Sequence, residues 1–238
     1  GSTSAVFDGS GDYLSLADSD DWNFGTGDFT IEAWVYLNNY MYENFIYFQA
    51  FNDTGNRFWF YVTSSTGRLS CIVRVGGVTK ISSLQSGSAI PLSQWTHVAM
   101  VRSGSLVKLF INGVQQNSSN EGANDLGDIS TVVQIGASSA FGYYFNGNID
   151  ELRISKGIAR WTSDFTPPSS PYGKVATVTS QKKFGTASGE FKGSGEYLSL
   201  ADSDDWNFGS GDFTVDFWVR WNVLPAVSGA QMLVSQLL

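Results

Sequence analysis

The segment FDGSGDYLSLADSDDWNFGTGDFTIEAWV, residues 7–35, decides the fold of this chain, because the chain contains it twice. Residues 191–219 read FKGSGEYLSLADSDDWNFGSGDFTVDFWV, and most positions of the two segments are identical. The differences are mostly conservative, such as Thr26 against Ser210 and Ile31 against Val215. The offset of 184 residues is a domain length, far above the period of a solenoid repeat. The sequence therefore predicts one whole module followed by the start of another.

A proline cluster predicts the boundary between the two modules. The segment 166–171, TPPSSP, holds three of the five prolines of the chain, and prolines favour an extended linker over a strand ladder. We expect residues 1–172 to form one module and residues 173–238 an incomplete second copy that repeats residues 4–54. The partial copy has three interpretations: a piece of a longer tandem array, packing on the first module, or strand exchange into a neighbouring subunit. Strand exchange would build a homo-oligomer or filament.

Alternation of apolar and polar residues predicts an all-β fold. In residues 29–37, Phe29, Ile31 and Ala33 share one strand face, and Thr30 and Glu32 share the other. Similar short strands follow at near-regular spacing, separated by Gly-rich and Asn-rich turns that include a hairpin signal at 112–113. Only residues 156–164 permit a helical turn. This pattern predicts a two-sheet antiparallel jelly-roll sandwich.

Composition and charge exclude several functional classes. The chain is 42% hydrophobic and carries a net charge of −8, which disfavours nucleic acid and anionic membrane surfaces as partners. No apolar run approaches the roughly 18 residues of a membrane span, so we expect no membrane insertion. The single cysteine, Cys71, lies in an alternating strand and is expected to be a buried thiol without a disulfide.

Four motifs together resemble a known family of β-sandwich proteins. FDGSGDYLSL, GDFTIEAWV, the pair WTHVAMVR and LVKLFINGV, and GNIDELRISKGIARWTSDF resemble the laminin-G-like branch of the concanavalin A-like lectin/glucanase jelly rolls. This resemblance implies adjacent N-terminal and C-terminal strands, frequent calcium sites, and sugar binding on a rim or concave face. The ending RISKGIARWTSDFTPPSSPY is similar to modules repeated in bacteriophage tail and virion proteins, and in bacterial surface proteins. It implies a location outside the cell or on a virion surface.

Catalytic motifs are missing from the strands where the family's glucanases carry them. Those enzymes place acids at alternate positions of one strand, whereas Glu32 is followed on its own face by Trp34 and Tyr36. The only histidine, His97, lies mid-strand with no nucleophile motif in the chain, and is expected to be a surface or half-buried residue. We therefore expect no enzyme activity.

Two aromatic and amide-rich segments are candidates for sugar contact. Residues 38–44 (NNYMYEN) and 143–146 (YYFN) combine tyrosines with asparagines, and residues 58–62 place a tryptophan and a tyrosine on one strand face. The alternative is that these aromatics fill the interior of the sandwich, since aromatic residues favour strands in any case. The predicted carbohydrate-binding residues are Asn38, Tyr40, Tyr42, Trp59, Tyr143 and Tyr144.

An acidic cluster at residues 18–21, DSDD, is the candidate for calcium, which prefers carboxylate and carbonyl oxygens. The adjacency of first and last strands that the resemblance implies adds Asp12 and Asp150. The alternative is that these acids cap turns through their own backbone. The predicted metal ligands are Asp12, Asp18, Asp20 and Asp150, for a structural calcium ion.

The sequence thus predicts a non-catalytic, lectin-like binding or adhesion module of a tandem-module virion or cell-surface protein. Its expected partner is a glycan or a neighbouring protein subunit. The alternative is a purely structural assembly domain that joins subunits by strand or module exchange, and the third hypothesis is a glycoside hydrolase.

Overall fold

The structure, a computed structural model, describes residues 3–51, 55–122 and 124–169, and two short strands at 176–178 and 188–190. The chain divides into two compact units, Gly1–Tyr172 and Gly173–Leu238. The strands of the first unit are β1 (Ala5–Asp8), β2 (Leu14–Leu16), β3 (Phe29–Leu37), β4 (Asn44–Ala50), β5 (Arg57–Val62), β6 (Arg68–Val75), β7 (Val78–Ala89), β8 (Trp95–Ser103), β9 (Leu106–Ile111), β10 (Val114–Asn120), β11 (Val133–Ile135), β12 (Ala137–Ser138), β13 (Tyr143–Tyr144) and β14 (Asn146–Lys156).

Two six-stranded antiparallel sheets form the first unit. The first sheet has the order β1-β14-β3-β8-β9-β10, and the second sheet has the order β2-β11-β4-β5-β6-β7. The short strands β12 and β13 pair as a separate hairpin. The described residues contain no α-helix, only 3-10 turns at Asp20–Trp22 and Ser139–Phe141. The predicted all-β, two-sheet jelly-roll fold is confirmed.

No helix among these described stretches has the length and apolar character that crossing a membrane takes.

The core lies between the two sheets and follows the predicted alternation. The odd-numbered residues of β3, from Phe29 to Leu37, are fully buried in it. On β5, Phe58, Phe60 and Val62 enter the core, as predicted. Cys71 is fully buried on β6, as predicted, and burial raises the pKa of its thiol. Burial of these aliphatic and aromatic side chains stabilises the sandwich by roughly 25 cal/mol per Å² of apolar surface removed from water.

The N-terminal and C-terminal strands of the unit lie side by side. β1 pairs antiparallel with β14, with Ala5 opposite Ile149 and Asp8 opposite Asn146. This adjacency confirms what the family resemblance implied. It brings the turn after β1 to the start of β14.

Two polar strand segments were not predicted. β10 reads VQQNSSN, and the second half of β7, up to Ala89, reads SSLQSGSA. The two strands are the edges of their sheets and lie side by side. Asn117 Nδ2 donates to Gln85 O at 2.9 Å, and Ser88 Oγ donates to Gln116 Oε1 at 2.6 Å. β10 buries no side chain, and β7 buries Ile81 and Leu84 at a spacing of three residues, so neither strand shows the apolar alternation from which strands are predicted.

The predicted helical turn at residues 156–164 is wrong. Residues 157–169, here called the C-terminal strap, are not helical and cross the outer face of the first sheet. Thr30 Oγ1 donates to Ile158 O at 2.9 Å and accepts from Arg160 N at 3.0 Å. Three strap side chains then pack on a small outer cluster of the first sheet, which comprises Ala99, Val101 and Phe110. These strap side chains are Ala159, Trp161 and Phe165.

In the second unit, strands β15 (Ala176–Val178) and β16 (Ser188–Glu190) pair antiparallel. The rest of the predicted second copy lies outside the described residues. Its interpretation as an incomplete module therefore stays a prediction.

Candidate functional site

The two predicted sugar-contact segments meet in space. Tyr42, which precedes β4, and Tyr143, on β13, stack with their ring centres 5.9 Å apart and their planes inclined by 21°. Tyr42 and Tyr144 line a pocket of about 70 Å³, called the rim pocket, which also contacts residues from the turn after β1 and the start of β14. Its remaining lining residues are Gly9, Asn39, Met41, Asn44 and Asn146.

Asparagine side chains hold the loops around the rim pocket. Asn44 Nδ2 donates to the carbonyls of Asn39 and Tyr42, at 3.2 and 3.1 Å, and its Oδ1 accepts from Asn146 N at 2.9 Å. Asn146 Nδ2 in turn donates to Asp8 O at 3.1 Å. Asn38 is exposed and does not line the pocket, but its Nδ2 donates to Asn146 Oδ1 at 2.8 Å. Most amide groups near the pocket therefore position backbone, and Met41 and Tyr42 are its exposed large side chains.

The glycine at position 9 is required by this packing. Its φ of +87° lies in the left-handed region, and a Cβ there would lie 2.5 Å from Asn146 Nδ2. The repeated GSG motif was the sequence signal for this turn, but its part in the pocket was not predicted.

Tyr40, unlike Tyr42 in the same 38–44 segment, packs against the core and does not line the rim pocket. Its hydroxyl donates to Ile90 O, and its ring packs against Gly67 and the edge of the core. Burial raises the pKa of this hydroxyl. The side chain is not part of the pocket lining, so it supports the structure of the loop, and its predicted sugar contact stays a prediction.

Trp59 lies on the outer face of the second sheet, in a cluster of packed rings. Its ring lies nearly parallel to that of Phe48, at 6.1 Å, and perpendicular to those of Tyr61 and Phe141. The guanidinium carbon of Arg57 is 4.6 Å from its ring centre, a cation–π distance. Its faces are therefore occupied by protein groups. We call this set the outer aromatic cluster: Phe45, Phe48, Trp59, Tyr61 and Phe141.

The four predicted calcium ligands do not converge. Asp12 Oδ2 accepts from Asp8 N at 3.2 Å, whereas Asp150, which accepts from Glu151 N at 2.9 Å, lies four residues along β14 from the partner of Asp8. Four strand residues span roughly 13 Å. Within the described stretches of the chain, no group of three or more His, Cys, Asp or Glu side chains is arranged to hold a metal.

The remaining two acids of that set lie in the loop before β3. Asp18 is exposed, and Asp20 begins a 3-10 turn, with its carbonyl accepting from Lys156 Nζ at 2.9 Å. The neighbouring Ser19 caps this turn by accepting from Asp21 N at 3.2 Å. Turn capping, the alternative to calcium binding, is thus seen at Ser19 in this loop. Calcium binding stays a prediction.

Glu32 is buried on the outer side of the first sheet and is fully engaged. Its Oε1 accepts from Arg153 Nε at 2.8 Å, and its Oε2 accepts from Trp161 Nε1 at 2.8 Å. His97 Nε2 lies 3.3 Å from Oε2, and both side chains have no exposed surface. The expected surface or half-buried position of His97 is therefore wrong, because the C-terminal strap covers this part of the sheet.

The environment of Glu32 lowers the pKa of its carboxyl from 4.5 to about 2. Burial by itself raises this pKa, but hydrogen bonds from His97, Trp161 and Arg153, and the charge of Arg153, outweigh it. A glycosidase acid needs a raised pKa and a second carboxylate facing the same cleft. Glu32 has neither property and serves as an anchor for the strap.

The family comparison covers most of the first unit. The sequence model of the Laminin_G_3 family, described as concanavalin A-like lectin/glucanases superfamily, matches residues 8–160. No curated protein matches the sequence of the chain.

Three solved structures show the same fold at low sequence identity. Domain 4 of a GH43 extracellular arabinanase from Geobacillus stearothermophilus, in complex with arabinotriose, is 22% identical over 65% of this chain and 70% of its own, with a TM-score of 0.50. The CBM40 of Ruminococcus gnavus IT-sialidase, bound to α2,3 sialyllactose, is 18% identical over 65% of this chain and 91% of its own, also at 0.50.

The third is mouse laminin α1 chain, domains LG4-5, 15% identical over 64% of this chain, with a TM-score of 0.50. The match covers 40% of that two-domain chain. These structures share the sandwich architecture described above. On the strength of the match to residues 8–160, the chain belongs to the concanavalin A-like lectin/glucanases superfamily, in its Laminin_G_3 family.

Proposed function

We propose that this chain is a non-catalytic carbohydrate-binding module that holds its sugar at the rim pocket. The observation that carries the proposal is that Tyr42 and Tyr144, from two separate segments, both line that pocket, with Tyr143 stacked on Tyr42. Aromatic faces beside amide groups suit a sugar ring, which has apolar C–H faces and a hydroxyl periphery. Two of the solved structures with the same fold were obtained with bound oligosaccharides, which supports the same class of ligand.

The state of Glu32 supports a binding function over hydrolysis. The one acid on the alternating face of β3 is buried beneath the strap and ionised by its partners. A hydrolase would need a pair of carboxylates separated by a cleft, about 5 to 9.5 Å apart. Some proteins of similar fold are parts of enzymes, yet the similarity concerns a binding domain in the arabinanase and the sialidase.

We place the module outside the cell, in a protein of tandem modules. The arabinanase with the similar domain is extracellular, and the near-identical segment at residues 191–219 supports a series of modules. The finer proposal, a bacteriophage tail or virion surface, rests on the resemblance of the ending at residues 153–172. Purely structural assembly through the second copy is the alternative function, favoured by that same repeat.

A glycan array followed by calorimetric titration of each hit tests the proposal. Arabinotriose and α2,3 sialyllactose serve as additional probes. We expect Tyr42→Ala and Tyr144→Ala each to weaken binding by about tenfold, because each removes an aromatic ring that lines the pocket. Trp95→Ala is the matched control, since Trp95 is an exposed aromatic on the first sheet that meets Tyr36 edge to face and does not line the pocket.

The controls separate a lectin from a scaffold. Repeating the titrations with calcium and with a chelator tests the predicted structural ion, which should raise affinity or unfolding temperature when present. If folded protein binds no glycan on the array, with or without calcium, the carbohydrate function is wrong. If Trp95→Ala abolishes binding and Tyr42→Ala does not, the site is misplaced.

A further inference from the structure

Two arginines stand side by side at one end of the outer face of the second sheet. Arg57 on β5 and Arg74 on β6 are directly opposite each other in the antiparallel register. Their chain neighbours Phe58 and Val73 point into the core, so both guanidinium groups project from the outer face. Neither arginine was a candidate in the sequence, because one is separated from the other by 17 positions and register alone brings them together.

The pair lacks a compensating acid among the residues that the structure describes. Neither guanidinium forms an ion pair with a carboxylate of the described residues. Arg74 Nη2 donates to Gly77 O at 2.7 Å, and Arg57 lies over the ring of Trp59. The Nε atoms of both arginines are buried without a hydrogen-bond acceptor.

Like charges directly opposite on adjacent strands destabilise a sheet. Burial, followed by the charge of Arg74, lowers the pKa of Arg57, which agrees with two cations held close together. The indole Nε1 of Trp59, next to them, is also buried without a partner. This end of the face therefore holds two adjacent guanidinium groups, in a chain whose net charge is −8. A pair of guanidinium groups suits a carboxylate or a sulfate.

We propose that Arg57 and Arg74 form an anion subsite for the carboxylate or sulfate group of an acidic saccharide. This inference rests on the proposed carbohydrate function and names the class of glycan. The rim pocket lies at the Asn44 end of β4, and Arg57 pairs with Ala50 at the other end of the same strand. Six strand residues separate the two positions, or roughly 20 Å. A ligand that reaches both is an acidic oligosaccharide and not a single sugar.

The first experiment compares acidic and neutral glycans on the full chain. The array holds uronate, sialate and sulfated glycans, each beside its neutral parent. Binding should favour the acidic member, and the type of acid among the hits distinguishes carboxylate from sulfate. We expect Arg57→Gln and Arg74→Gln each to weaken the acidic hits by about tenfold, the value of one charge-assisted hydrogen bond. Arg68→Gln is the matched control, because Arg68 is exposed at the opposite end of β6 and carries the same charge.

A second experiment tests the subsite without any sugar. Thermal unfolding is followed in sodium sulfate and in sodium chloride of equal ionic strength, for the native chain and for the R57Q/R74Q variant. Sulfate stabilises proteins in general, so the variant measures that background. Specific binding should raise the unfolding temperature of the native chain more than that of the variant. Without sulfate, the variant should unfold at no lower temperature than Arg68→Gln, since it relieves a repulsion.

The outcomes separate this inference from the proposed function. Selective acidic binding that both glutamine variants lose supports the subsite. Glycan binding with equal affinity for neutral and acidic members overturns the subsite and leaves the carbohydrate function intact. An equal sulfate effect in the native chain and the variant also overturns it. Failure of every glycan to bind overturns the proposed function together with this inference.

Discussion

At the scale of single residues, Glu32 shows how one carboxylate joins distant parts of the chain. Its two oxygens receive hydrogen bonds from Arg153 on β14 and from Trp161 on the strap, and its Oε2 lies beside His97 on β8. The partners are 121 and 129 residues away in sequence. A buried charge is tolerated only when it is paired and hydrogen-bonded, and here both carboxylate oxygens accept hydrogen bonds.

We expect Glu32 to make the stability of the chain depend on acid. The pKa of Glu32 is about 2 in the folded chain and near its ordinary 4.5 when unfolded. The ionised form is therefore favoured by folding, so this stabilisation is complete above about pH 5 and is lost as the pH falls toward 2. The contribution is about 3 kcal/mol at pH 7. Urea unfolding of the native chain and of Glu32→Gln, at several pH values between 2 and 7, measures it.

The difference between the two proteins should shrink to near zero at the acid end. Asp18→Asn is the control, because it removes an exposed carboxylate and should change the free energy of unfolding by less than about 0.5 kcal/mol. A constant difference between Glu32→Gln and the native chain across this pH range would contradict the assignment.

The limits of sequence reasoning are visible in the same residue. Alternation correctly placed Glu32 on the polar-facing side of β3, away from the core. The burial of that side could not be predicted, because it depends on a segment with weak helical and no strand character that returns from residues 157–169. Tyr42 and Tyr143 were found from composition alone, whereas their stacking needed the β12–β13 hairpin, whose two-residue strands carry no periodic pattern.

At the scale of elements, the strap is fixed where it crosses the turn between β9 and β10. Phe165 N donates to Gly113 O at 2.9 Å, and a Cβ at Gly113 would lie 1.9 Å from Phe165 O. Asn112 and Gly113, with φ of +49° and +77°, form the hairpin turn that the Asn-Gly pair predicted. The sequence therefore predicted Gly113 as a turn residue, but it did not predict that the strap packs against this glycine.

Gly113→Ala should release the strap as well as strain the turn. The left-handed backbone alone costs an alanine about 1–2 kcal/mol, and the contact with Phe165 O adds to this. We expect the free energy of unfolding to fall further than for Gly104→Ala, a hairpin glycine at φ +58° with nothing near its Cβ position. Trypsin cleavage after Arg160, which lies in the strap, should become faster only in Gly113→Ala. Equal losses in the two variants would mean that the strap contributes nothing at this turn.

Edge strands show why part of the sheet order escaped prediction. The polar β10 has no apolar face, and β7 buries Ile81 and Leu84 three positions apart, because its ladder with β6 is interrupted by register shifts. Their hydrogen bonds close one side of the sandwich with serine, glutamine and asparagine side chains. Strand signals are strongest where one face is buried, so β3, β5 and β8 were predicted closely.

At the scale of the whole molecule, the first unit should fold and bind without the second. Every element of both sheets and the rim pocket lies within residues 1–172. We expect a chain of residues 1–172 to unfold cooperatively and to bind the same glycans as the full chain. Sedimentation velocity of both chains over a hundredfold range of concentration tests the strand-exchange alternative. Assembly of the full chain that the shorter chain lacks would favour a scaffold, and loss of folding in the shorter chain would contradict the modular interpretation.

The buried position of Cys71 allows thiol labelling to measure how often the two sheets separate. The chain has one thiol, and that thiol is sealed between the two sheets with burial raising its pKa. A maleimide or disulfide reagent can therefore react only in molecules whose sheets have separated. The labelling rate, divided by the rate for unfolded chain, yields the fraction of time that the sandwich spends apart. Glycan added to the same reaction should lower the labelling rate of Cys71 as the fraction of glycan-bound protein rises. The labelling rate of a core residue would then report ligand binding.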